Sequence, residues 1–378
     1  MNEDIKILIT GDFCPINRVE TLAKNKQYDA VFNDFQSVLE GNDLNVTDME
    51  CPLSESSFRL KKTGPHQYAH PDCIHLLNYA GIEVVAMANN HILDLGEQGV
   101  KDTLSICEKS DISIVGMGRN AEEARAFFVK EIKGKKIAIL NFSDNEFLVT
   151  PESDSQANPI SPIHNFYDIR RAKSENDYVI LIAHAGNEFF HLPSPRTKEL
   201  YRFYVDAGVD AVVAHHTHCF SGFEVYKGCP IFYGLGNFVY DNPEKKQSDW
   251  NEGFVVKLKL NEKIDFEIIP LKQGNEIPGV MHLSAREKHI FNQKIESLSQ
   301  IIADDAKLED AFQEYCKSVE NMYDAFLEPY WGKYIHKLKA LGLFPRLLNN
   351  RKRLLYLNLI RCDSHRDVLL RLLDKYRN

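Results

Sequence analysis

The sequence has no run of about 18 apolar residues, the length that a membrane-spanning helix needs. Its first residues, Met1-Asn2-Glu3-Asp4, lack the basic segment, the apolar segment and the cleavage site of a secretion signal. It has eight cysteines, but none are spaced as Cys-x-x-Cys, and the scatter is typical of reduced thiols rather than of a disulfide framework. We therefore expect a cytoplasmic protein.

The sequence also lacks an excess of basic residues. It has 45 Lys and Arg against 54 Asp and Glu, which gives a net charge of −9. Because proteins that bind a nucleic-acid duplex usually carry a basic surface, we expect no nucleic-acid partner. The hydrophobic and charged fractions, 44% and 26%, are those of a globular protein and exclude a disordered or fibrous one.

Up to about residue 240, short β-branched runs alternate with helical stretches. The predicted strands are 5–9, 83–86, 112–115, 137–140, 178–183 and 211–214. The predicted helices are 72–80, 97–109, 168–174 and 195–207. Four strands separated only by turns follow, at 222–227, 230–233, 253–260 and 264–270. Such an order predicts an α/β protein with a mixed sheet, or with two sheets packed face to face between helices.

Composition changes near residues 274–279, and from Ser284 onward the pattern is helical. We therefore predict a main domain at 1–275 and a helical C-terminal extension at 276–378. Residues 331–378 contain twelve Lys and Arg against three Asp and no Glu. This segment is either a cap whose leucines dock on the main domain, or a basic amphipathic surface for an acidic membrane or partner protein.

Polar clusters directly follow five of the apolar stretches. In α/β sheets, ligands bind outside the carboxyl ends of the strands, so these side chains are expected to converge on one point. The clusters are Asp12, Glu50, Asn89-Asn90-His91, His184 and His216-Thr217-His218. Neutral imidazole is the commonest side-chain ligand for borderline divalent metals, and the paired histidines therefore predict a metal site. The alternative is a set of surface or hydrogen-bonded histidines.

Other residues near these clusters have two interpretations each. Asn90 could ligate a metal while His91 faces substrate and Asp94 orients its ring, or Asn90 and Asp94 could cap a helix. Cys14 could donate a thiolate or be a small buried hydrophobe. The glycines of 234–238 could let backbone N–H groups approach an anion or only form a turn, and the loop 61–66 could bind an anionic substrate or be solvated surface.

Taken in order, these motifs resemble the CapA-type capsule-synthesis family, also called poly-γ-glutamate synthesis proteins, which resembles calcineurin-like metallophosphoesterases in fold. The resemblance covers roughly residues 5–270 and leaves out the helical tail. Its motifs are Gly11-Asp12, Glu50-Cys51-Pro52-Leu53, Ala88-Asn89-Asn90-His91 with Asp94 and Gly96, His184-x-Gly186-x-Glu188, His215-His216-Thr217-His218, Glu224-Val225-Tyr226 and Leu235-Gly236-Asn237-Phe238. It implies a four-layer α/β/β/α metallophosphatase-like sandwich with two mixed sheets.

The resemblance also implies a site. One or two divalent ions, Mn, Zn or Fe, would be held by Asp12, Glu50, Asn90, His184, His216 and His218, with Glu50 as a possible bridge. His91 would protonate or stabilise the leaving group, with Asp94 as its catalytic partner. The expected substrate contacts are Asn89, Glu188, His215, Asn237 and His66. The chain departs from the phosphoesterase pattern at Cys14, where a ligand His is usual, and at Glu50, where Asp is usual.

Three functions remain open at this point. The first is a hydrolase linked to capsule or exopolymer synthesis, in which a metal-bound hydroxide attacks a phosphoester or a γ-glutamyl-type amide of an anionic small molecule or polymer. The second is a non-catalytic accessory protein of capsule or poly-γ-glutamate synthesis that holds polymer or a partner enzyme. The third is a purely structural metal site.

Overall fold

The computed structural model describes residues 4–62, 64–148 and 154–327, and from the last part of the chain 332–341, 343, 348–361, 365, 369 and 373. The chain divides into two compact units, residues 1–308 and 309–378. No helix within the described residues is long and apolar enough to cross a membrane. The cytoplasmic location stays a prediction.

Strands and short helices alternate through the first unit. The strands are β1 (Ile5–Cys14), β2 (Leu44–Met49), β3 (Val84–Ala86), β4 (Ser113–Val115), β5 (Met117–Gly118), β6 (Phe128–Ile132), β7 (Lys135–Ser143), β8 (Gln156–Ala157), β9 (Tyr178–His184), β10 (Ala211–His215), β11 (Phe223–Tyr226), β12 (Cys229–Phe232), β13 (Asn237–Tyr240), β14 (Glu252–Leu260), β15 (Ile264–Gln273) and β16 (Val280–His282). The helices are α1 (Arg18–Lys24), α2 (Asp29–Phe32), α3 (Gln36–Leu39), α4 (Ile74–Tyr79), α5 (Gly96–Lys109), α6 (Ala121–Ala124), α7 (Pro162–Glu175), α8 (Pro195–Ala207), α9 (Ala285–Ala303), α10 (Asp305–Leu327), α11 (Lys333–Ala340) and α12 (Asn350–Arg361).

Two mixed sheets are formed. The first has the order β16-β15-β14-β1-β2-β3-β4, with β13 also paired to β1, and its strands β1 to β4 are parallel. The second has the order β11-β12-β10-β9-β7-β6, in which the edge strands β11 and β6 are antiparallel to their neighbours. In the second sheet the parallel strands are central, whereas in the first sheet they extend from β1 to the edge strand β4.

Alternation of side chains along the strands builds three apolar layers. On β1, Ile7 and Ile9 point into a core between the sheets, where they meet Ile180 and Ile182 of β9. The intervening Leu8 points the other way, into a second core formed with α1 to α5. On the far face of the second sheet, the Phe142 ring lies 5.7 Å from that of Tyr204 in α8. The α/β/β/α sandwich is therefore confirmed.

Local signals explain why α8 begins and ends where the sequence predicts. Ser194 precedes the helix, and its hydroxyl accepts a hydrogen bond of 3.1 Å from the Thr197 N–H. Pro195 occupies the first helical position, where its missing N–H costs nothing. Gly208 then ends the helix at a φ of 128°, a backbone conformation that side chains disfavour. Both helix ends are therefore fixed by the local sequence.

The region predicted as a run of antiparallel strands is divided between the two sheets. Antiparallel pairing is confirmed for β11 with β12 and for β14 with β15. However, β12 joins the second sheet and β14 the first, and β13 between them runs parallel to β1. The chain crosses over at residues 233–236, so each hairpin buries its apolar face in the core between the sheets.

The first unit continues past the predicted boundary at 275/276. Strand β16 completes the edge of the first sheet, and the α9 ring of Phe291 lies 4.4 Å from that of Phe220. This apolar contact explains why α9 belongs to the first unit. The assignment of 1–275 and 276–378 as separate domains stays a prediction.

Candidate metal centre

The predicted ligand residues meet where the carboxyl ends of both sheets converge. In the first sheet, Asp12 lies on β1, Glu50 directly follows β2 and Asn90 follows β3. From the second sheet come His184, the last residue of β9, and the turn 216–218 after β10. All these side chains are buried, so the sheet edges bring six polar groups together in one buried cluster.

Two histidines adopt unusual backbone conformations. His216 has a φ of 86° and His218 a φ of 54°, both in the region that favours glycine. The His216 N–H points to the Asp12 carboxylate, with distances of 3.3 and 3.5 Å to its two oxygens. Such strain persists only where surrounding contacts impose it, and it is common at functional sites. Here it turns both imidazoles toward the carboxylates.

One group of ligand atoms centres on His184. Its Nε2 lies 3.1 Å from Asn90 Oδ1, 3.1 Å from His216 Nδ1 and 3.9 Å from Glu50 Oε1. Glu50, His184 and His216 offer ligand atoms within 4.8 Å of one another. Amide, carboxylate and two imidazoles form a donor set suited to a borderline divalent ion.

A second group centres on His218. Its Nδ1 lies 3.4 Å from Asp12 Oδ2, and its Nε2 lies 3.7 Å from Glu50 Oε1. Asp12, Glu50 and His218 again offer ligand atoms within 4.8 Å of one another. Glu50 belongs to both groups, which is the arrangement expected of a bridging carboxylate.

Asp48 was not singled out in the sequence, yet it belongs to the site. Its Oδ2 accepts a 2.6 Å hydrogen bond from His184 Nδ1, and this fixes the ring so that Nε2 faces the other ligands. Carboxylates that orient a metal-binding histidine in this way are common. The signal was available: Asp48 and Glu50 are two residues apart on an extended segment, so both side chains point to the same side.

Burial controls the ionisation of these groups. It lowers the pKa of His184 and of His216 to about 3, so both imidazoles are neutral, the form that binds metals. Burial, together with the charges of Asp12 and Asp48, raises the pKa of Glu50 well above its usual range. Burial likewise raises the pKa of Asp48. Three carboxylates are thus held close together where a cation would compensate their charge.

The residues present fit a divalent metal. Both carboxylate oxygens of Glu50 are fully buried and have no hydrogen-bond partner among the described residues. The Nε2 atoms of His184 and His218 are 3.9 and 3.7 Å from Glu50 Oε1, too far for hydrogen bonds. Two ligands that each lie about 2.1 Å from one ion are separated by roughly 3–4 Å, which matches these gaps. A metal would therefore satisfy oxygens that are otherwise costly to bury.

His91 is supported from its Nδ1 side by two buried charges. Its Nδ1–H donates to Asp94 Oδ2 over 2.7 Å, and the Lys62 ammonium forms an ion pair with the other Asp94 oxygen. Lys62 Nζ is also 3.2 Å from His91 Nδ1. Burial lowers the pKa of His91, so the ring is neutral near pH 7 and Nε2 presents a lone pair to the site. The pairing predicted for His91 and Asp94 is therefore present in space.

Four of the five predicted substrate contacts have their polar atoms directed elsewhere. The Asn89 amide bonds the Met49 carbonyl and the His91 N–H. His215 Nε2 is 2.9 Å from the Thr10 carbonyl and links the sheets, while Asn237 Oδ1 is 3.1 Å from His218 Nδ1 and orients that ring. His66 Nε2 is 2.7 Å from the Leu60 carbonyl. Glu188 is exposed, and its charge raises the pKa of Glu50, so it lies at the solvent-exposed edge of the site.

Cys14 lies outside the ligand groups found among the described residues. Its side chain is buried in the core with Cys51 and Tyr240 as neighbours, and burial raises its pKa well above the usual range. A neutral thiol in an apolar environment matches the alternative of a small buried hydrophobe. Ligation of a metal by the Cys14 thiolate stays a prediction.

The rim next to His218 is aromatic and carries a cation. The Trp250 ring lies 4.7 Å from the His218 ring, and Phe189 lies 6.2 Å from it. Lys245 Nζ sits 4.0 Å from the Phe189 centroid and 4.2 Å from the Trp250 centroid. Partial burial lowers the pKa of Lys245. The cation is thus held by aromatic faces beside one of the metal-ligating candidates.

Gly11 allows β1 to approach the crossover turn that carries Asn237. A Cβ on Gly11 would lie 2.0 Å from the Gly236 carbonyl oxygen, which is shorter than any non-bonded contact. We expect Gly11→Ala to lower the stability by about 3 kcal/mol, because the strand and the turn must separate. Calorimetry would measure the loss. Gly332→Ala is the control, since its Cβ would meet nothing nearer than 3.8 Å, and an equal effect of the two variants would contradict the explanation.

Fold and site together define a class: an α/β/β/α sandwich with a buried His, Asp and Glu cluster at its strand ends. Within that class, the chain belongs to the family described as bacterial capsule synthesis protein PGA_cap, whose sequence model matches residues 6–242. The family resemblance predicted from the motifs is therefore confirmed.

Named relatives agree with this membership. The capsule biosynthesis protein CapA of Bacillus anthracis is 27% identical over 308 residues, which cover 79% of this chain and 75% of that protein. The PGA biosynthesis protein CapA of Bacillus subtilis is 29% identical over 288 residues, covering 75% of this chain and 76% of the relative. A probable polyglutamine synthesis accessory protein of Mycobacterium tuberculosis is 29% identical over 185 residues, 46% of this chain and 49% of its own.

Solved structures give weaker likenesses. A putative 5'-nucleotidase from Staphylococcus aureus, in complex with alpha-ketoglutarate, has a TM-score of 0.44 at 11% identity and covers 77% of this chain and 58% of its own. A hypothetical protein from Thermus thermophilus has a TM-score of 0.40 at 15% identity, covering 70% of this chain and 99% of its own.

Proposed function

We propose that the protein is a metal-dependent hydrolase that acts on a phosphoester or a γ-glutamyl-type amide in capsule or exopolymer synthesis. One observation carries the proposal: the Glu50 carboxylate is buried without a hydrogen bond among the described residues, and the Nε2 atoms of His184 and His218 lie 3.9 and 3.7 Å from its Oε1. Asp12, Glu50, Asn90, His184, His216 and His218 would hold one or two divalent ions. A bound ion would lower the pKa of water and polarise the scissile group.

His91 is the group best suited to move a proton in this reaction. Its Nδ1–H is committed to Asp94, so its Nε2, 3.8 Å from Glu50 Oε1, can accept a proton and return it to the leaving oxygen or nitrogen. Asp94 and Lys62 fix the ring orientation and leave that nitrogen free. Asp48 has the corresponding positioning role for His184.

Two lysines support an anionic substrate. Lys62 is buried beside His91, and Lys245 lies at the aromatic rim next to His218, so positive charge is available on two sides of the ligand cluster. Partial burial strengthens the interaction of Lys245 with an anion, because the surroundings screen charge less than water does. We propose that Lys245 contacts a phosphate or carboxylate of the substrate.

Lys245→Ala is expected to weaken the binding of inorganic phosphate to the Mn²⁺-supplemented protein by about tenfold, the effect of losing one charge-assisted hydrogen bond. Calorimetric titration would measure the change, and Lys245→Arg should retain most of the affinity. Lys246→Ala is the matched control, because Lys246 is exposed and pairs with Glu276 at 3.1 Å. If both alanine variants bind phosphate like the unmodified protein, Lys245 is not a substrate contact.

The proposed reaction is tested by metal analysis of the purified protein together with assays on phosphodiester and γ-glutamyl substrates in added Mn²⁺ or Zn²⁺. We expect bound metal, and turnover that a chelator removes. Protein that takes up no metal and turns over neither substrate would overturn the proposal.

A second candidate, a non-catalytic accessory role, is favoured by one departure. Cys14 occupies the position where phosphoesterases usually have a ligand histidine, and it is buried with Cys51 and Tyr240. One relative also bears the name of an accessory protein. If the protein has an accessory role, deletion of residues 331–378 should abolish complex formation with a synthesis enzyme. Retention of the complex, or loss of a hydrolytic activity instead, would reject the accessory role.

A further inference from the structure

The C-terminal part of the chain has a charge opposite to that of the protein as a whole. From Pro329 to Cys362 the sequence contains eight Lys or Arg and no Asp or Glu, although the full chain has a net charge of −9. A basic segment of this kind is attracted to anionic surfaces. The proposed hydrolase site uses none of these residues.

Helix α12, Asn350–Arg361, lies in this segment and is partly buried on one side and exposed on the other. Half-buried side chains recur at every third residue, namely Arg353, Tyr356 and Leu359. On this side Arg353 pairs with Glu320 of α10 at 3.8 Å. Four apolar side chains of the helix are exposed at 66%, 53%, 43% and 56%, namely Leu354, Leu355, Leu357 and Ile360, with Arg351 and Asn358 among them. Adjacent exposed leucines are unusual unless a further surface covers them.

The charges of α12 are not arranged to stabilise the helix itself. Arg351, Lys352 and Arg353 occupy its first turn, where the helix dipole favours acidic residues. Arg351 and Lys352 are exposed next to the exposed leucines. An anion at this end would interact with the basic side chains, while the Lys352 N–H is already bonded to Asn349 Oδ1 at 3.0 Å.

We propose that α12 binds the surface of an anionic lipid membrane, with Leu354, Leu355 and Leu357 entering the interfacial region and Arg351 and Lys352 contacting headgroup phosphates or carboxylates. Interfacial helices combine exposed apolar side chains, which enter the headgroup and acyl boundary, with basic residues that contact anionic lipids. A soluble polyanion would use the charges but would leave the leucines in water. The exposed leucines therefore favour lipid.

Co-sedimentation of the full chain with vesicles tests this assignment. We expect binding to phosphatidylcholine vesicles that contain phosphatidylserine and little binding to phosphatidylcholine alone. Leu354→Gln/Leu357→Gln removes apolar contact but retains charge, and Arg351→Gln/Lys352→Gln removes charge but retains the leucines. Each pair should weaken binding by about tenfold or more. Circular dichroism would establish that both variants keep their helix content.

Lys109→Gln/Lys317→Gln is the matched control, since both lysines are exposed on other helices and the net charge changes equally. It should bind vesicles like the unmodified chain. Weakening by the control equal to that of the Arg351/Lys352 pair would mean that net charge alone acts, and would overturn the proposal. Failure of the unmodified chain to sediment would overturn it as well. If only the charge variant loses binding, the contact with the vesicles is electrostatic alone and the proposed entry of the leucines into the interfacial region is rejected.

Discussion

Glu50→Gln is expected to raise the melting temperature of the metal-free protein and to abolish the stabilisation that Mn²⁺ gives. The Glu50 carboxylate is fully buried, neither oxygen has a hydrogen-bond partner in the described structure, and burial with the neighbouring charges raises its pKa. An uncompensated buried charge costs several kcal/mol, and Gln has the same shape without the charge. A ligand present at 1,000 times its dissociation constant stabilises by about 4 kcal/mol, which the variant would lose.

Thermal unfolding in a chelator and in Mn²⁺ measures both effects, and Glu224→Gln is the contrasting control. Glu224 accepts hydrogen bonds from Arg202 and from the Tyr233 hydroxyl, so its replacement should lower the melting temperature in both conditions without changing the Mn²⁺ increment. A Glu50→Gln protein that is destabilised without metal would contradict the cost assigned to the unpaired carboxylate, and one with an unchanged Mn²⁺ increment would show that Glu50 is not a ligand.

His91→Ala is expected to lower kcat by about 10²–10⁴ while leaving the metal content unchanged, because a positioned proton donor or acceptor contributes that much. His91 Nδ1 is occupied by Asp94, and only Nε2 faces the ligand cluster, at 3.8 Å from Glu50 Oε1. Steady-state kinetics with metal analysis of the same samples would separate proton transfer from metal binding.

His164→Ala serves as its control, since His164 is exposed on α7 and should have no effect. Full activity of His91→Ala would remove His91 from the mechanism. If that result came together with unfolding of His216→Ala, the centre would be a structural metal site, the third function that the sequence leaves open.

The fold could be predicted where local sequence decides the structure. Strand β9 and helix α8 lie almost where the apolar run and the Pro and Gly signals put them. Helix α7 is longer than predicted, since it begins at Pro162 and not at Asp168. Strand β13 was missed, because it is short and pairs with β1, more than 200 positions away in sequence, through contacts that no local pattern records. The helix predicted within 365–376 lies largely outside the described residues.

The candidate site could be predicted as a set of strand ends but not in its detail. The six ligand candidates do converge, since the ends of parallel strands share one edge of a sheet. Which way each side chain points depends on backbone angles and neighbours. His215 is adjacent to His216, but it belongs to β10 and bonds across to the Thr10 carbonyl, whereas His216 has left the strand with a positive φ. Asn89 and Asn237 were expected at the substrate and instead bond the protein interior.

The distribution of the ligands over two sheets has a consequence for how the chain folds. Asp12 and His216 meet across 204 positions of sequence, and Glu50 faces His184 from the opposite sheet. Neither half of the sandwich alone assembles such a set of donors. Contacts this distant in sequence form slowly, because a long loop must close before any interaction offsets the lost entropy. We therefore expect tight uptake of Mn²⁺ to appear only in the last phase of refolding, after the two sheets have docked.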